Sequence, residues 1–151
     1  MIEVYNDEFF MRQALIEAKK AFDKNEVPVG AVVVLQNRVI ARGHNLTEQL
    51  SDVTAHAEIQ AITSAAQFIG AKYLKGCTMY VTLEPCAMCA GALFWSKIDK
   101  VVYATRDKKM GAGQHETPIY HPSSLVVKGP LQEESQQLLK AFFSNKRKST
   151  I

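Results

Sequence analysis

The sequence predicts an α/β domain in which helices cover both faces of one mixed sheet. Strand-like and helix-like segments alternate along the chain, as crossover connections require. The first two strand-like runs, Val29 to Leu35 and Arg38 to Gly43, are separated only by Gln36 and Asn37, which is hairpin spacing. The chain has 151 residues, 47% hydrophobic and 22% charged, enough to bury a core without disulfide staples. A single domain over 1–151 is therefore expected, with no repeat or linker long enough to divide it.

Taken in order, Met11, Ala14, Leu15, Ala18 and Phe22 fall at three-and-four spacing, which predicts a helix from Asp7 to Lys24 with Asp7 as its N-cap. Pro28 breaks the pattern before the hairpin. Ala55, Ile59, Ile62 and Ala66 mark a second amphipathic helix from Ala55 to Phe68. Thr78 to Leu83 is a run of strand formers ending at Pro85, a residue favoured in the first turn of a helix. A helix from Cys86 to about Trp95 follows, then a strand at Lys100 to Thr105. An irregular stretch with Gly111, Gly113, Pro118 and Pro122 leads to a strand at Leu125 to Lys128. The last helix is expected from Leu131 to about Phe143.

No stretch approaches the roughly 20 apolar residues that cross a bilayer, and the N-terminus lacks a basic start followed by an apolar run, so a cytoplasmic protein is expected. Three cysteines, two of them in a C-x-x-C pair, suit a metal or redox site better than a disulfide framework. The net charge of +3 is small, but Lys140, Lys146, Arg147 and Lys148 gather near the C-terminus. Such a cluster either neutralises phosphates or is simply solvated.

Thr54-Ala55-His56-Ala57-Glu58 and Glu84-Pro85-Cys86-Ala87-Met88-Cys89 each open a predicted helix. Cys86 and Cys89 are three apart, so their sulfurs share a face at the positive end of the helix dipole, where thiolates are favoured. Zinc accepts two such sulfurs and an imidazole nitrogen, which His56 supplies, and a catalytic site leaves the fourth position to water. Cys77 begins a strand that ends about 23 Å away near Glu84, which puts it at the far end of the sheet. His44, His115 and His121 are expected to be structural.

Glu58 is the candidate general acid and base for that water. Residues two apart do not share a helix face, so His56 and Glu58 converge only at a helix mouth, with His56 in the first turn. A first-turn glutamate alone is more often a solvated acid, and C-x-x-C alone leaves redox and structural zinc open. The combination of the two segments favours catalysis.

The H-x-E and P-C-x-x-C segments, with Val27-Pro28-Val29-Gly30-Ala31-Val32, Gly43-His44-Asn45 and Tyr80-Val81-Thr82-Leu83-Glu84, resemble the bacterial tRNA-specific adenosine deaminases of the cytidine deaminase superfamily. The resemblance implies a three-layer α/β/α sandwich on a central mixed sheet of about five strands. It also implies a homodimer with one Zn²⁺ per subunit that converts the wobble adenosine of a tRNA anticodon stem-loop to inosine. By the same resemblance Asn45 hydrogen-bonds the base, Val29 forms an apolar pocket wall, Asp107 lies near the anticodon-loop backbone, and Phe143 belongs to an RNA-contacting C-terminal end. The segment after Asp107 departs from the family pattern, with Gly111-Ala112-Gly113 followed by Gln114-His115-Glu116. A deaminase of free guanine or cytosine, or of a nucleoside, on the same zinc site is the alternative.

Overall fold

The computed structural model describes residues 5–149, with the side chain of Ser149 excepted. The elements run α1 (Asp7–Asp23), β1 (Gly30–Leu35), β2 (Arg38–His44), α2 (Ala57–Ile69), β3 (Cys77–Leu83), α3 (Ala87–Ser96), β4 (Lys100–Thr105), β5 (Leu125–Lys128) and α4 (Gln132–Ser149). One five-stranded sheet has the order β2-β1-β3-β4-β5. β1 is antiparallel to both neighbours, whereas β3, β4 and β5 are parallel. The expected mixed sheet and layered α/β architecture are present.

The hairpin turn has a local cause. Gln36 and Asn37 both adopt positive φ, 51° and 61°, the pattern of a type I′ turn whose twist matches the strands it joins. Successive side chains along each strand then point to opposite faces and build two cores. On one face Val32, Val34, Tyr80 and Val102 meet Phe10, Met11 and Ala14 of α1. On the other, Ala31, Val33, Val81 and Val101 meet Ala57, Ala61 and Ala65 of α2 and Leu93 of α3. α4 lies against α1, where Phe142 and Phe22 make an edge contact at 6.3 Å between ring centroids.

Several boundaries differ from the sequence expectation. The N-cap of α1 is Asn6, whose Oδ1 accepts the Phe9 N–H at 2.9 Å, while the Asp7 carboxylate accepts the Tyr80 hydroxyl at 2.7 Å. Asn and Asp cap equally well, so only this tertiary bond separates them. α4 continues to Ser149 instead of stopping near Phe143. The apolar periodicity ends at Phe143, but Lys146, Arg147 and Lys148 in the last turn suit the negative end of the helix dipole and let the helix run on.

Candidate active site

The sheet brings one set of chain ends together. β3 and β4 run parallel and finish side by side, and β1, antiparallel to β3, starts at that same edge. Gly30 pairs with His44, so the end of β2 lies there too. Val29, Asn45, Glu84 and Asp107, far apart in sequence, therefore meet beyond one edge. Cys77 pairs with Leu35 at the opposite edge and is buried there.

Two helix mouths face this edge. His56 and Cys86 are the N-caps of α2 and α3, each with extended backbone angles and no side-chain cap bond. Both were expected inside the first turn; they stand one residue earlier, where the extended backbone swings the side chain over the helix mouth. Cap and third helical positions face each other, so Cys86 and Cys89 still converge.

The Nδ1 atom of His56 lies 3.7 Å from the Cys86 sulfur and 3.6 Å from the Cys89 sulfur. All three donor atoms fall within 4.8 Å of one another, and among the described residues no other histidine, cysteine or acid joins the group. A tetrahedral ion with bonds of about 2.3 Å to sulfur and about 2.1 Å to nitrogen separates those atoms by about 3.6 Å. Donor chemistry and spacing both fit zinc. His44 is engaged elsewhere, 3.5 Å from a Glu17 carboxylate oxygen and 3.2 Å from the Lys24 amine. His121 accepts from the Ser123 N–H at 3.1 Å.

Electrostatics concentrate negative charge on the group. The Cys86 thiol is pushed down to about 4 by hydrogen bonds from Cys89 and then His56. Cys89 moves up, because it donates to the Cys86 sulfur and is buried. His56 is raised, first by its hydrogen bond to Cys86. Burial pushes the Glu58 carboxyl up to about 7, which brings it within reach of proton transfer in either direction near neutrality.

Glu58 and the His56–Cys86 pair face a cavity of ≈ 350 Å³ that Val29, Asn45 and Asp107 also line. Asn45 lines the cavity, and its side-chain oxygen is buried with no hydrogen-bond partner among the described residues. Asp107 is less available, because its carboxylate accepts the N–H groups of Lys109 and Met110 and holds a turn. Phe143 lies outside this cavity, in an adjoining groove of ≈ 950 Å³ that shares Val27, Leu83, Asp107 and Met110 with it.

That groove carries a charge pattern that is dispersed in the sequence. Arg106, Lys108 and Lys109 line one side and Lys140, Lys146 and Arg147 of α4 the other, with Asp107 the lone acid in the lining. The C-terminal cations are visible as a sequence cluster; the three near Asp107 join them only through the fold. Sequence reasoning also passes over Glu84, which is buried beside the cavity although it directly precedes Pro85 and Cys86.

The model of the MafB19-like deaminase family matches residues 5–147. A tRNA-specific adenosine deaminase of Aquifex aeolicus is 44% identical over 95% of this chain and 98% of its own. A solved structure from work on A-to-I editing by tRNA deaminases at the wobble position is 44% identical, covers 87% of this chain and 99% of its own, and superposes with a TM-score of 0.82. A guanine deaminase of Bacillus subtilis is more distant, at 28% identity over 97% of each chain and a TM-score of 0.64. On the family model and the identity of these relatives, the chain belongs to the MafB19-like deaminases and, within them, to the group named tRNA-specific adenosine deaminases.

Proposed function

We propose that this protein is a zinc-dependent hydrolase that converts the wobble adenosine of a tRNA anticodon to inosine. The observation that carries the proposal is one arrangement: three donors spaced for zinc, a buried glutamate beside them, and a cavity continuous with a basic groove. Held by His56, Cys86 and Cys89, zinc supplies Lewis acidity that brings the pKa of a water toward about 7.

Glu58 takes the proton of the attacking water and returns it to N1 of adenine. The water oxygen adds at C6, its remaining proton passes by way of Glu58 to the amino group, the C6–N bond breaks, and ammonia leaves with inosine as product. Asn45 offers an amide whose donor and acceptor match a purine edge, and Val29 packs beside the ring. Because a base stacked in a helix cannot reach into a recessed cavity, the substrate is an unstacked, flipped-out nucleotide. The six cations of the adjoining groove suit the phosphates of the strand that carries it.

A homodimer working in the cytoplasm completes the proposal. On the outer side of α3, Met88 and Trp95 are seven residues apart on one face, and Trp95 is 75% exposed. A second copy is the occupant that suits an apolar stripe on the helix bearing Cys89.

The decisive experiment offers the purified protein an anticodon stem-loop with adenosine at the wobble position beside a panel of free bases. Inosine in the stem-loop with free bases untouched is the expected result. Turnover of free guanine or cytosine with no action on the stem-loop would overturn the substrate.

A further inference from the structure

On the assignment of a tRNA anticodon as substrate, we infer that Glu84 is a positioning residue that holds the wall between the catalytic cavity and the basic groove. The wall is the segment from 107 to 113. Its residues Asp107 and Met110 line both spaces, so its placement sets how a nucleotide in the cavity connects to the strand in the groove.

Glu84 is buried, and its two carboxylate oxygens divide the work. Oε1 accepts the Asp107 N–H at 3.1 Å, at the start of the wall, and Oε2 accepts the Gly113 N–H at 2.9 Å, near its end. The salt bridges found among the described residues include none to this carboxylate. Its charge is met by two main-chain dipoles, which makes both bonds charge-assisted.

Two glycines make room for that carboxylate. A Cβ on Gly111 would lie 2.5 Å from Oε1, and one on Gly113 would lie 2.7 Å from Oε2. The residues around Glu84 add main-chain ties to the same segment. Ala112 N–H donates to the Pro85 carbonyl at 2.9 Å, and Cys86 forms an isolated bridge with Gly111. One side chain thus couples the strand end that leads into Cys86 to the surface that meets RNA.

A neutral amide cannot replace this function. Glutamine has one acceptor oxygen, and its NH₂ would face an N–H donor, so one of the two anchors is lost. The effect falls on the wall and on RNA engagement rather than on Glu58 or the metal donors.

The test compares Glu84→Gln and Gly113→Ala with the wild type by amide hydrogen exchange at residues 107 and 113, zinc stoichiometry, and stem-loop kinetics. Expected in both variants are exchange at least about tenfold faster at one or both amides, a KM raised about tenfold, kcat within about threefold, and one zinc per chain. Wild-type exchange and KM in both variants would overturn the inference. So would lost zinc with wild-type exchange at 107 and 113 in Glu84→Gln, which would assign the residue to the metal centre. If Glu84→Gln fails to fold, Gly113→Ala decides, since it keeps the carboxylate and displaces it. A wild type inactive on the stem-loop would overturn the substrate instead, and the exchange data would still judge the anchor.

Discussion

At one side of the cavity His56, Cys86 and Cys89 stand on the N-terminal ends of two helices, each packed through a buried face onto the sheet. On the other side the 107–113 wall has little regular structure and is held by a few main-chain bonds and one carboxylate. The first side is rigid because moving a donor means moving a helix against its core. The second can shift when a hydrogen bond changes. Fixed chemistry therefore faces a substrate wall that is adjustable.

The sharpest attack on this contrast is Cys89→Ala. It should abolish zinc binding and turnover and lower the melting temperature, because a closed donor set links α2 to α3. Retention of a full zinc equivalent would break the comparison. Next in size, Glu58→Gln should cut kcat by roughly 10²–10⁴ while zinc stays bound. Near-wild-type kcat in this variant would remove Glu58 from its role.

Trp95→Glu tests the outer side of the rigid half. It should shift the sedimenting species toward 16.8 kDa while leaving zinc in place. An unchanged mass would show that α3 is not the dimer face. The smallest effect is expected on the adjustable side. Replacing Lys146, Arg147 and Lys148 by glutamine should flatten the dependence of log affinity on log salt by about 2. An unaltered slope would mean that these cations are only solvated.

The rigid half was the legible half. His56, Glu58, Cys86 and Cys89 are fixed by short-range spacing at helix starts, and the hairpin by two residues that accept positive φ. What escaped the sequence depends on the assembled sheet. Nothing near Arg106 says that Lys140 will face it, and Glu84 gains meaning only when β3 and β4 end side by side and 107–113 folds back. The Asn6 cap was missed for a smaller reason, since two adjacent residues cap equally well and a bond to Tyr80 separates them.

Glu84 grips the wall through backbone N–H groups, which every residue except proline possesses. The side chains at 108–110 are exposed and take no part in that grip. They can change without loosening the scaffold, provided glycine is kept at 111 and 113. That grip depends on the main chain at 107 and 113 and on the space left at 111 and 113. This marks 108–110 as the stretch to randomise in a search for altered RNA preference, where new chemistry can be sampled at little cost to folding.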